Sequence, residues 1–299
     1  MQFKLSLVLA CLMSMPTQAM PEALTLSRPD GSLVHYTLDE PAGPSEGLIL
    51  LSQGSGCAPG ATNQSIATVR AAFADYTALI VEKIGITPSA EIVDGASECP
   101  ATFVQTYTLS QRVDDYRLVL QHLQHDQGLG TDNLVLFGGS EGGLAVAKLG
   151  ALFHPTATIL LSSATGTTFG DMVRSTVPPE GHATIDAGFA AARANPDSSE
   201  LFAGSTYRFW ADILDVRTLE LMLASSSPFL IIQGGLDTSN PVASARATVD
   251  AFALESRCNL TYWEFPTLDH SMRREDGSSR LGAVAALAAH WVAAPTPAC

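Results

Sequence analysis

Five runs of nearly continuous apolar residues, at 47–52, 77–81, 133–137, 156–161 and 228–232, punctuate the chain, and a more polar sixth lies at 261–265. Runs of this length are too short for helices and too uniformly apolar for half-exposed strands. They predict strands buried on both faces. Ahead of them, 24–27 and 34–38 flank Pro29-Asp30-Gly31, a turn signal, and predict an antiparallel hairpin. Between the runs the period changes. Residues 110–124 repeat apolar groups at Val113, Tyr116, Leu118, Leu120 and Leu123, with charges on the other face of a helix. Segments 144–152, 242–254 and 281–291 also read as helices. Strands alternating with helices predict an α/β fold with a mostly parallel central sheet flanked by helices. Two stretches break the rhythm. Residues 84–108 read as a long loop, and 164–227 as an insertion of short helical pieces, a small cap over the strands' C-terminal edge.

The N-terminus carries a different pattern. Lys4 precedes a short apolar stretch, and small and polar residues lead to Ala19. This predicts a signal peptide over 1–19 and a single catalytic domain over 20–299, exported to a periplasmic or extracellular space. Removal of Cys11 with that segment leaves Cys57, Cys99, Cys258 and Cys299, an even number suited to an oxidising compartment. The expected pairs are Cys57–Cys99 and Cys258–Cys299. With 16 Lys and Arg against 30 Asp and Glu, the net charge is -14. An acidic surface repels phosphate backbones and anionic membranes, so neither nucleic acid nor stable membrane association is expected. Oligomeric state is not encoded in any pattern seen here.

The chemistry concentrates at 134–143, where a buried strand runs into Gly138-Gly139-Ser140-Glu141-Gly142 and a helix follows. A serine at so sharp a strand-to-helix turn projects its hydroxyl clear of the sheet, and flanking glycines avoid collision across the turn. The helix N-terminus leaves backbone N–H groups free beside it. Serine needs a base. Of seven histidines, His270 alone sits in a short loop after the last strand. The base needs an acid to orient it, and Asp237 lies just past the preceding strand in Gln233-Gly-Gly-Leu-Asp237. Asp269, next to His270 in sequence, is assigned a solvent or loop role. The oxyanion donors are expected to be the backbone N–H of Glu141 and that of Ser55, with Gly56 as the alternative. The Glu141 carboxylate either sits at the helix N-terminus or binds a cationic substrate group.

The Gly138-x-Ser140-x-Gly142-Gly143 turn and the order serine, acid, histidine resemble the α/β-hydrolase superfamily. Within it, the chain is similar to dienelactone-hydrolase-like esterases and prolyl-oligopeptidase-type serine hydrolases. The resemblance implies acyl transfer through Ser140, Asp237 and His270, with no metal or organic cofactor. Two departures stand out: Gln53-Gly54 replaces the His-Gly of many relatives, and serine replaces the cysteine nucleophile of dienelactone hydrolases. The expected activity is hydrolysis of small carboxylic esters. A small-peptide serine peptidase is the alternative, and a hydrolase-fold binding protein without turnover is the alternative from another class.

Overall fold

The computed structural model describes residues 22–92, 98–126 and 133–295. The expected signal segment 1–19 and Cys299 lie outside the described residues. The chain opens with the hairpin of β1 (Ala23–Ser27) and β2 (Leu33–Asp39), antiparallel with Leu26 opposite Val34. There follow β3 (Leu48–Ser52), α1 (Gln64–Ala72), β4 (Thr77–Val81), α2 (Ala101–Thr106), α3 (Leu109–His125), β5 (Leu134–Gly139), α4 (Glu141–Phe153) and β6 (Ala157–Leu161). After an excursion the chain returns as β9 (Phe229–Gly234), α9 (Val242–Leu254), β10 (Leu260–Phe265) and α10 (Leu281–Ala293). The excursion contains α5 (Phe169–Thr176), α6 (His182–Ala194), the tiny hairpin β7 (Leu201–Phe202) and β8 (Ser205–Thr206), α7 (Tyr207–Ile213) and α8 (Leu219–Ala224).

Eight strands form one sheet in the order β1-β2-β4-β3-β5-β6-β9-β10. The pairs from β4 to β10 are parallel, and only β1–β2 and β2–β4 are antiparallel. The uniform apolar runs are explained by the period of two. Leu48 and Leu50 of β3, Leu134 and Leu136 of β5, and Phe229 and Ile231 of β9 enter one core, with α3, α4 and the excursion helices. Their neighbours Ile49, Leu51, Val135, Phe137, Leu230 and Ile232 enter the other, with α1 and α10. Full burial of each such side chain stabilises by roughly 1.5–3 kcal/mol, so both helical layers contribute to holding the sheet.

The segment read as a long loop contains α2. Six residues with three β-branched side chains give too little periodicity to reveal a helix. Tertiary contacts fix it instead: Cys99 just ahead is bonded to Cys57, and Phe103 stacks on Tyr107 at 4.8 Å between ring centres. The Cys57–Cys99 pairing is as expected, and Cys258 is also disulfide-bonded. Among the described residues no helix is long and apolar enough to cross a membrane.

The edge hairpin is tied to the helical layer by a buried ion pair, in which Arg28 Nε and Nη2 donate to Asp115 Oδ1 and Oδ2 at 2.7 and 2.9 Å. Burial raises the Asp115 carboxyl against the pull of Arg28, so the pair resists dissociation more than it drives folding. Arg28→Ala should destabilise by about 3–5 kcal/mol, because it strands a buried carboxylate. Arg28→Met with Asp115→Leu should recover most of that loss. Urea unfolding of the two variants measures the difference, and equal loss in both would refute a desolvation origin.

Candidate active site

Five segments leave the C-terminal ends of parallel strands at the same edge: 53–57 after β3, Glu82-Lys83 after β4, Ser140 after β5, the loop containing Asp237 after β9, and the loop containing His270 after β10. Ser140 has φ 52° and ψ -124°, a left-handed backbone that a side chain adopts only under constraint. Its backbone is pinned on three sides. Ser140 N–H donates to Leu161 O at 2.8 Å, and Ser140 O accepts from Ser163 Oγ at 2.8 Å and Gly143 N–H at 3.0 Å. The glycines are steric necessities. A Cβ on Gly138 would sit 2.3 Å from Gly142 O, and one on Gly142 would sit 2.4 Å from both Ser52 O and Gln53 O.

Asp237 and His270 are joined. His270 Nδ1 lies 3.0 and 2.9 Å from the two oxygens of the Asp237 carboxylate, which can only accept, so Nδ1 carries the proton. The carboxylate also accepts from the N–H groups of Ser239 and Asn240 at 2.9 and 2.8 Å, and from Gln233 Nε2 at 3.1 Å. Burial alone would raise the Asp237 carboxyl, but the bonds from His270 and Asn240 outweigh it and hold it below its ordinary value. Asp237 therefore stays ionised throughout the neutral range. The loops meet because Gly234 and Gly235 lack side chains: a Cβ on Gly234 would lie 2.3 Å from Asp269 O, and one on Gly235 would lie 2.6 Å from Pro266 Cα. Asp269 accepts from the N–H groups of Ser271 and Arg273, a loop role as expected.

Ser140, His270 and Gly54 line one cleft of about 180 Å³. Gly54 is close enough that a Cβ there would sit 3.3 Å from Ser140 Cβ. Ser55 and Glu141 line a second, larger cavity of about 740 Å³, walled by Phe103, Tyr107, Phe209 and the disulfide. The 54–55 segment thus separates two cavities. A further concavity, lined by Arg257, Cys258 and Trp291, lies at the opposite end of β9 and β10, away from these residues.

Glu141 is buried, its carboxylate accepting from the hydroxyl of Tyr107 and from Arg112 Nη1 at 3.2 Å. Sequence reasoning missed this partner set. It also missed Lys83, whose ammonium donates to Gly54 O and Gly56 O at 2.6 Å each, and Glu82, which accepts from the N–H groups of Gly60 and Ala61 at 2.7 and 2.9 Å. The available signal was the pair Glu82-Lys83 following directly on the apolar run 78–81.

No protein-family model matches this chain, and no curated protein does. Solved structures do. Est1E from Butyrivibrio proteoclasticus with ferulic acid bound has 17% identity and a TM-score of 0.63, over 91% of this chain and 98% of that one. This chain has the α/β-hydrolase fold. A monoacylglycerol lipase from Paleococcus ferrophilus shares that fold at 15% identity and a TM-score of 0.60, covering 87% of this chain and 98% of its own. A puromycin-hydrolysing peptidase from Mycobacterium tuberculosis does so at 16% and 0.61, over 93% of this chain but 40% of the peptidase. Within the α/β-hydrolase fold, Ser140 directly follows β5, and Asp237 and His270 lie in the loops after β9 and β10.

The strain at Ser140 is measurable. Ser140→Gly removes the side chain that makes φ 52° costly while retaining all three backbone bonds. Relief of about 1–3 kcal/mol against an entropic penalty near 0.5–1 kcal/mol should leave the variant more stable than the parent. Thermal unfolding decides this, and a lower midpoint would mean that the turn is unstrained.

Proposed function

We propose that the protein is a serine hydrolase that cleaves carboxylic esters of small substrates through an acyl-enzyme on Ser140. The observation that carries this reading is the hydrogen-bonded Asp237–His270 pair opening, through His270, on the cleft that holds Ser140. Ser140 Oγ attacks the ester carbonyl carbon as its proton passes to His270 Nε2. The C–O bond to the leaving alkoxide then breaks, and the same proton neutralises the departing alcohol. Water repeats the sequence on the acyl-enzyme and releases the acid. Asp237 holds the Nδ1–H tautomer and offsets the imidazolium charge. The N–H groups of Glu141 and Ser55 receive the oxyanion. Glu141 heads α4, where its N–H has no acceptor inside the helix.

The two cavities support an unsymmetrical ester, with its smaller group beside His270 and an apolar or aromatic group against Phe103, Tyr107 and Phe209. The excursion between β6 and β9, residues 164–227, is the cap that closes the larger cavity through its β7–β8 hairpin. Export through residues 1–19 is supported by the Cys57–Cys99 disulfide, since such bonds persist in oxidising compartments. A peptidase reading gains less support. The Glu141 carboxylate, a candidate for binding a free amine, is already engaged by Arg112 and Tyr107.

Treatment with a fluorophosphonate probe, read by intact mass, should give one adduct on the wild type and none on Ser140→Ala. His270→Ala should lose nearly all turnover of acetyl and butyryl esters, with Asp237→Ala retaining more. A wild type that takes up no adduct would point to the non-catalytic reading, and turnover of aminoacyl amides in preference to esters would favour the peptidase.

A further inference from the structure

The loop after β3 is held from behind by buried charge. Lys83 and Arg112 are each 2% exposed. Between them they bind three carbonyls of a four-residue stretch: Arg112 Nη2 donates to Gln53 O at 2.6 Å, and Lys83 Nζ donates to Gly54 O and Gly56 O at 2.6 Å each. In a trans peptide the C=O and the N–H of one unit point in opposite directions, and among the described residues no peptide is cis. A Gly54 carbonyl turned inward to Lys83 therefore turns the Ser55 N–H outward. The Gly54 Cα lies against Ser140, and among the described residues the Ser55 N–H has no hydrogen-bond acceptor. A cation on a peptide oxygen also polarises that peptide and makes its N–H a stronger donor.

We propose that Lys83 is a positioning residue for acyl transfer, its buried ammonium fixing the Gly54 and Gly56 carbonyls so that the Ser55 N–H faces the oxyanion formed at Ser140. The inference rests on the reading of Ser140 as nucleophile. Lys83 is faced by Glu82 from its own strand end, by Arg112 from α3, by Glu141 from α4, and by the rings of Tyr107 and Phe103 at 5.3 and 5.9 Å. Burial, aided by Arg112, pulls its ammonium down to about 7 against Glu141 and Glu82. Above that pH the clamp loses its charge, and with it part of its grip on the two carbonyls.

Oxyanion donors act on the transition state and hardly on the bound ester. Lys83→Met should therefore lower kcat for a p-nitrophenyl ester by about 10- to 100-fold while KM stays within about threefold. Affinity for an alkyl trifluoromethyl ketone, which forms an oxyanion on the serine, should fall in step with kcat/KM. Rates are normalised to active-site titre, so that loss of folded protein does not count. A kcat within twofold of wild type, or a ketone affinity that does not fall, overturns the proposal. Should Lys83→Met not fold, the wild type supplies the test: its fluorophosphonate labelling rate should decline several-fold between about pH 7 and 9 as the ammonium is lost. A rate level to pH 9 overturns the proposal. A wild type that labels while Lys83→Met keeps full kcat refutes only the role of Lys83, whereas a wild type that never labels refutes the nucleophile reading as well.

Discussion

The structure depends on one close approach of backbone to backbone. β3 and β5 are hydrogen-bonded neighbours with Ser52 opposite Gly138, so the loop after β3 and the turn after β5 leave the sheet at the same level. Gly142 then lies against the carbonyls of Ser52 and Gln53, and Gly54 lies against Ser140. No residue with a Cβ fits at Gly138 or Gly142. The approach brings the candidate nucleophile and the candidate oxyanion donors together without any long side chain reaching across, and main-chain positions are set more tightly than rotamers. The order of strands in the sheet therefore sets the geometry of the candidate site as well as solving the packing.

Holding the 53–57 loop in that place has a cost. Glu82, Lys83, Arg112 and Glu141 are between 2% and 4% exposed. Desolvation of each disfavours its charge: Glu82 is pushed up and Lys83 down, both towards neutrality. Two cations and two anions balance, and their remaining bonding capacity is turned on the loop. Lys83 and Arg112 take carbonyls at its start, Glu82 takes the N–H groups of Gly60 and Ala61, and Cys57 is bonded to Cys99 between them. An apolar replacement of equal volume would pack as well and could be more stable, but it could not orient peptide groups.

The sheet, the main helices and the candidate residues Ser140, Asp237 and His270 were legible in the sequence because each follows from a local rule. Strands with both faces buried are nearly continuous apolar runs, and a serine on a glycine-flanked turn is a short motif with a steric cause. Pairing of His270 with Asp237 was legible from chain order, although its enabling feature, the Gly234-Gly235 contact with Pro266 and Asp269, lay in plain view without a partner to explain it. The charged clamp was not legible. Lys83 acts on residues 27 and 29 positions away, and Arg112 on one 59 away. No periodicity or spacing joins them. Helix α2 was hidden for the same reason, since a disulfide and ring stacking hold it rather than propensity.

The turn at Ser140 shows how a strained residue persists. A left-handed serine costs on the order of 1–3 kcal/mol. Its N–H and carbonyl make three hydrogen bonds, to Leu161, Ser163 and Gly143, each contributing a net stabilisation of about 1 kcal/mol. The two sums are of the same size, so the backbone can be held there with nothing asked of the side chain. Ser140 Oγ is thereby free of structural duty. The same separation recurs at the 53–57 loop, where the carbonyls face inward to Lys83 and Arg112 and the N–H of Ser55 makes no internal bond. At Ser140 the backbone bonds hold the turn and leave the side chain free; at the 53–57 loop the carbonyls hold the geometry and leave the Ser55 N–H free.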